Sequence, residues 1–244
     1  MMNPKRSTLR TLSFFVAMTA VMALCISASN NKTAPKVISH NIVSTANVLP
    51  PVAIYSKLRL DELGLNQTAY TLAVKGWEKL KQSGAVTKDI ISICDFTQSS
   101  KNNRLYIIDM ATGALLFNTL VAHGKNTGVE YARYFSNLPS SLQSSLGFYV
   151  TSAAYFGKHG LGLKLEGKEP GFNDKADERA IVMHGAEYVS NKFLKQYGTL
   201  GRSWGCPAVP DELHEAIINT IKDGSCLFIY YPDKQYLANS RLLN

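Results

Sequence analysis

Cysteine is scarce in this chain, four in 244 residues, and none are spaced as a paired-cysteine metal knuckle. The five histidines form neither His-x-His nor His-Glu-x-x-His, so the zinc-hydrolase patterns are excluded. There is no Gly-rich phosphate loop, no internal repeat, no heptad pattern and no block of basic residues. Nucleotide-binding, solenoid and coiled-coil architectures fall away with them, as does a nucleic-acid groove. The sequence implies no cofactor and no metal, and any chemistry has to come from isolated residues.

What is present is a hydrophobic content of 45%, enough for a packed core in one ordinary domain plus an extension. Lys5, Arg6 and Arg10 precede an uncharged, mostly apolar run over 12–26, and Ser27, Ala28 and Ser29 supply small residues for cleavage. This pattern predicts a secretory signal peptide over 1–29 and an exported, periplasmic protein. Leu24 before Cys25 argues against lipidation, and an uncleaved N-terminal membrane anchor is the alternative, because 12–29 is close to the ~20 residues of a spanning helix. Membrane contact is expected only through that segment. Without its three basic residues the chain carries +5 rather than +8, a mild charge suited to a polymer rich in carboxylates. Cys94, Cys206 and Cys226 remain, and an odd number in an oxidising compartment points to a free thiol.

Residues 30–54, mixed in Asn, Ser, Thr and Pro up to Pro50-Pro51, read as a tether. Over 56–83 apolar residues fall at helical spacing, interrupted at Gly64-Leu65-Asn66, which predicts two short helices; tether and helical extension together span 30–87. Beyond Lys88 the pattern turns to strands at 90–96, 105–110 and 115–122, an antiparallel meander, with further strands at 147–154, 161–165, 179–184 and 225–231. Only 211–222 and 189–197 look helical there. A mainly β domain over 88–235 and a tail over 236–244 follow. Cys94 and Cys226 both sit in strands, where they form either two buried thiols or, if the strands are neighbours, a disulfide.

Three His-Gly dipeptides occur, at His123, His159 and His184, so context has to separate them. His184 ends the apolar run Ala180-Ile181-Val182-Met183, and a rigid strand is where a positioned base belongs. His123 precedes Gly124-Lys125-Asn126 and reads as a turn residue; His214 reads as a helix-surface residue and His40 lies in the tether. Cys206 lies 22 residues after His184, in Ser203-Trp204-Gly205-Cys206-Pro207. Gly201 and Gly205 permit unusual backbone angles there. Pro207 has no amide hydrogen, so an oxyanion would draw on the amides of Trp204, Gly205 or Cys206. A thiol of ordinary pKa ~8.5 needs a neighbouring imidazole to become a thiolate at neutral pH, and His184 with Cys206 would form that pair.

These residues carry a resemblance. His184-Gly185 followed by Ser203-Trp204-Gly205-Cys206, with the wider stretches 144–151 and 201–210, resembles the L,D-transpeptidase catalytic domain family (YkuD-type), in a divergent murein branch. The resemblance implies an L,D-transpeptidase-type mixed β-sheet sandwich or barrel with a few helices. It implies a ping-pong mechanism on peptidoglycan stem peptides. Cys206 would attack the carbonyl of the third, diamino acid residue, terminal D-alanine would leave, and another stem's side-chain amine would complete a 3-3 cross-link, with His184 as base and Gly205 shaping the loop. The second imidazole nitrogen would be held by a backbone carbonyl, or by Ser203 as the side-chain candidate. Arg202, Trp204, Tyr155, Lys158 and His159 are candidates for binding the stem peptide.

The commoner family pattern has arginine two residues after the cysteine, where this chain has Ala208; Arg202 is the candidate replacement. A lipoprotein lysine as acceptor, water as acceptor (L,D-carboxypeptidase activity), and an inactive wall-binding member of the fold are the alternatives. A sortase would need an arginine shortly after the cysteine, whereas the next one is Arg241. Papain-like amidases have cysteine before histidine.

Overall fold

The computed structural model describes residues 49–157 and 160–244. The predicted signal segment, most of the tether with His40, and Lys158 and His159 lie outside these residues.

Two helices lead in: α1 (Pro51–Lys57) and α2 (Gln67–Gln82). Pro51 at the first helical turn needs no amide hydrogen, so the Pro50-Pro51 pair read as the end of a tether starts a helix instead. The Asn66 side chain caps α2, accepting from the amides of Thr68 (2.8 Å) and Ala69 (3.2 Å). Along α2, Ala69, Tyr70, Ala73, Val74, Trp77 and Leu80 recur at helical spacing and are buried. Gly76 lies on the same face, and a Cβ there would come within 2.0 Å of the Phe148 ring, so the absent side chain is what lets the helix settle on the sheet. Both helices contribute to the same core as the strands.

The strands are β1 (Ile90–Asp95), β2 (Leu105–Asp109), β3 (Ala114–Thr119), β4 (Gly147–Gly157), β5 (Gly160–Gly167), β6 (Val182–Ala186), β7 (Ala208–Pro210) and β8 (Cys226–Tyr230). They form one eight-stranded sheet in the order β3-β2-β1-β8-β4-β5-β6-β7. The pairs β1/β8 and β6/β7 are parallel and the other five antiparallel, giving the mixed sheet that the resemblance implies. Ile91 to Asp95 of β1 and all of β8 are buried on both faces, as central strands covered on each side should be. Just beyond β3, Ala122 bridges Ala208 of β7, its amide donating to the Ala208 carbonyl at 2.8 Å. The two edges of the sheet thereby meet, and this closure brings 122–124 against the loop before β7.

Three further helices are α3 (Asn191–Tyr197), α4 (His214–Ile221) and α5 (Lys234–Asn239). Ile217, Ile218 and Ile221 turn α4's apolar side inward. Neither β7 nor α5 is foreseen in the sequence pattern. The C-terminal residues do not trail: Tyr236 is fully buried and Leu243 nearly so. The buried Glu169 carboxylate ties them to the sheet, accepting from the Phe148 amide (2.8 Å), the Tyr236 hydroxyl (2.8 Å) and the Ser240 hydroxyl. Cys94 and Cys226 fall on neighbouring parallel strands, but Ile91 pairs with Cys226 and Cys94 with Ile229. The two sulfurs are thus three positions out of register, about 10 Å along the strand, and both are free and buried.

Candidate active site

The site forms where β6 runs beside β7. Met183 and Gly185 of β6 are buried, while Val182 and His184 alternate onto the more open face. His184 pairs with Ala208, two residues past Cys206. The Cys206 thiol lies against the segment leading into β6: it donates to the Ala180 carbonyl at 3.7 Å and accepts from the Val182 amide at 3.5 Å. Ala180 adopts φ +51, a left-handed conformation that costs a non-glycine residue energy. That conformation stands directly at the sulfur. Cys206 is only partly buried, unlike Cys94 and Cys226.

His184 Nδ1 lies 2.8 Å from the Gly185 carbonyl. A carbonyl only accepts, so Nδ1 carries a hydrogen. For Nδ1 the partner is the backbone carbonyl that the resemblance implies, rather than Ser203. The Ser203 hydroxyl instead accepts from the Gly205 amide (3.1 Å) and donates to the Cys206 carbonyl (2.6 Å), bracing the 203–206 turn from inside. The Gly205 amide is thereby used, which leaves the amides of Trp204 and Cys206 of the three candidate donors. Gly205 has φ +131, and a Cβ there would lie 2.8 Å from the Gln143 carbonyl. Backbone angle and space both require glycine at this position. Gly185 is held as tightly from behind, where a Cβ would meet Asp211 Oδ1 at 2.6 Å and the His214 ring at 2.7 Å. His214 is therefore packed against the site strand rather than set out on the helix surface.

Burial pushes the Cys206 thiol up from its ordinary value, and the Val182 amide and the Arg179 charge pull the other way. Arg179 is half-buried and pinned: Nη1 donates to the Ser136 carbonyl (2.8 Å) and the Ser145 hydroxyl, Nη2 to the Gln143 carbonyl (2.6 Å) and the Ser141 hydroxyl (3.3 Å). Arg202, the candidate replacement cation, turns instead to the carbonyls of Gly128 (3.3 Å) and Lys125 (3.4 Å). Ala208 is fully buried with Leu120, Ala122, Ala186, Val189 and Leu200. A charge at position 208 would enter that apolar cluster, which is the physical reason for alanine there.

Tyr155 packs over Gly162, where a Cβ would lie 2.9 Å from its ring, and Gly162 pairs with His184 across β5/β6. Tyr155, Gly162 and His184 therefore form a row on one face of the sheet. Trp204, 78% exposed, stands two residues before Cys206. Tyr188 was not foreseen: burial, then the nearby Cys206 charge, pushes its hydroxyl up to about 12, and its ring packs on Gly201. Of the predicted residues, Cys206, His184, Ser203, Gly205, Trp204 and Tyr155 gather here, and Arg202 points away. No signal in the local sequence marks Arg179 or Tyr188, because both reach the thiol only through the fold.

Residues 61–230 match the sequence pattern of the L,D-transpeptidase catalytic domain. The chain belongs to this family. Among solved structures it is similar to an L,D-transpeptidase from Mycobacterium smegmatis (10% identity, 59% of each chain, TM-score 0.36). It is also similar to the helical cell shape determining protein Pgp2 from Campylobacter jejuni (14% identity, 66% of this chain and 57% of that one, TM-score 0.39). A third is an L,D-transpeptidase from Xylanimonas cellulosilytica (12% identity, 74% and 94%, TM-score 0.34). The chain spans less than two-thirds of the length of the first two. Among curated proteins the sequence finds no match. As a member of the L,D-transpeptidase catalytic domain family, the chain has a fold of mainly β structure.

Proposed function

We propose that this protein is an exported peptidoglycan L,D-transpeptidase with Cys206 as nucleophile. The observation that carries the reading is the setting of the sulfur: partly accessible, held by the Ala180 carbonyl and the Val182 amide, on the strand whose His184 is fixed in the Nδ1–H tautomer by Gly185. In this mechanism His184 Nε2 takes the thiol proton as Sγ attacks the carbonyl of the third stem residue. The amides of Trp204 and Cys206 face the oxyanion, and the imidazolium returns its proton to the departing D-alanine amine. A diamino acid amine from a second stem then attacks the thioester, His184 accepts its proton, and the thiol re-forms with a 3-3 cross-link made. Exposed Trp204 and Tyr155 line the approach as stem-peptide contacts, and export rests on the basic, apolar and small-residue pattern of 1–29.

Purified protein incubated with disaccharide-tetrapeptide is expected to release D-alanine and to yield 3-3 dimers by mass spectrometry. Tripeptide monomer alone would make it an L,D-carboxypeptidase, a lipoprotein adduct would name a lysine acceptor, and no turnover would leave a wall-binding protein. Carbapenems acylate a nucleophilic thiol of this kind, so Cys206→Ala is expected to abolish covalent labelling with the fold intact. Labelling that persists in Cys206→Ala overturns the assignment.

A further inference from the structure

Beside the nucleophile stands a cation that the mechanism above does not use. Arg179 directly precedes Ala180, the residue whose carbonyl meets the Cys206 thiol, and its Nη2 would lie 3.3 Å from a Cβ at Gly205, the residue before the nucleophile. All four terminal N–H groups are taken up by segment 136–145 through Ser136, Ser141, Gln143 and Ser145. Among the described residues Arg179 makes no ion pair with a carboxylate, so its charge is not cancelled locally. The segment that grips it also grips the nucleophile turn: the Ser144 hydroxyl donates to the Gly205 carbonyl at 3.1 Å and accepts from the Gly124 amide at 3.0 Å.

A guanidinium with every terminal hydrogen spent on the protein has none of these to offer a substrate, yet its charge remains, and half-burial leaves it less screened by water than an exposed arginine would be. We propose that Arg179 is a positioning residue for the reaction proposed above, a fixed cation that holds the Cys206 thiolate electrostatically while locking segment 136–145 against the nucleophile turn. The proposal rests on Cys206 being the nucleophile. Among the described residues Tyr188, just after β6, is a further titratable group coupled to the sulfur, and His184 on β6 is its proposed base; Arg179→Gln leaves both in the chain. The direction of the Arg179 effect on the thiol is the one this requires.

The test is the pH dependence of Cys206 alkylation by iodoacetamide, followed by peptide mass spectrometry. Cys94 and Cys226 are buried in the folded chain, and the readout needs no peptidoglycan, so it stands apart from the substrate assignment. Arg179→Gln is expected to move the midpoint up by about one pH unit, slowing alkylation roughly tenfold at neutral pH. Arg179→Lys and Ser145→Ala, which keep the charge, are expected to hold the midpoint within about 0.3 unit. An unmoved midpoint in folded Arg179→Gln overturns the proposal. So does a full-unit shift in Arg179→Lys or Ser145→Ala, and these two carry the test should Arg179→Gln not fold.

Discussion

His123-Gly124 and His184-Gly185 are the same dipeptide in two electrostatic settings. His123 is fully buried, with Nδ1 2.7 Å from Arg104 Nη2 and Nε2 3.2 Å from the Gly128 carbonyl. An arginine donates and a carbonyl accepts, so both ring nitrogens are occupied and the ring is neutral. Burial first, then the Arg104 charge, drives its pKa down to about 3. Arg104 is itself buried, pulled down to about 9 by desolvation, and still charged at neutral pH. His184 has Nδ1 on its own following carbonyl and stands at a partly exposed position of β6. His123 meets the turn before Cys206 through its backbone, its carbonyl accepting from the Ser203 amide at 3.0 Å. Two identical dipeptides therefore sit in different settings: His123 is fully buried and neutral, and His184, the proposed base, is at a partly exposed position of β6.

The sharpest way to break that division is to replace each ring. His184→Ala is expected to lower D-alanine release by about a hundred- to ten-thousandfold with little change in melting temperature. His123→Asn is expected to lower stability first, leaving carbapenem labelling of the folded fraction within about tenfold of wild type. Equal loss of labelling in both folded variants would erase the distinction. Next in size is Gly205→Ala, which puts a Cβ at φ +131 and 2.8 Å from the Gln143 carbonyl. Labelling is expected to slow by about tenfold or more and melting to fall by several degrees, at a cost of about 1–3 kcal/mol.

The smallest effect is a pH dependence of stability. The folded pKa of His123, about 3, lies below its ordinary 6.5, so between these values the unfolded chain binds the additional proton. The stabilisation is complete above pH 6.5 and is lost progressively as pH falls toward 3. From pH 7 to 5 the His123 contribution is expected to fall by about 2 kcal/mol, or about 4–8 °C in melting temperature. That portion of the slope should vanish in His123→Asn, measured by differential scanning calorimetry at matched ionic strength. A slope identical in the two proteins would show that His123 is not held neutral.

Much of the fold was legible because alternation and helical spacing are local. Strands β1 to β6 and β8 were foreseen at nearly their observed places, as were α2 and α3. Strand β7 was not, being three residues ending in Pro210 and formed only because β6 and residue 122 lie beside it. Helix α5 is held by Tyr236 and Ser240 on Glu169, more than sixty residues away in the chain, so no nearby pattern announced it. In the site, Cys206 and His184 were visible from thiol, glycines and strand. The place of Ser203 was not legible, because a hydroxyl's partner depends on a turn whose geometry is set by Gly205. Arg202 was chosen for proximity in sequence, whereas segment 136–145 selects Arg179.

The sequence by itself determined the candidate nucleophile and base, the strand-rich pattern of residues 90–231, and the family, since these rest on residue type, periodicity and a short motif. Only the tertiary structure decided that His123 is fully buried, which arginine stands by the sulfur, why position 208 is alanine, and that Cys94 and Cys226 stay apart. Each of those outcomes depends on register and burial. Both arise when distant strands pair, where a shift of one residue would turn every side chain to the other face.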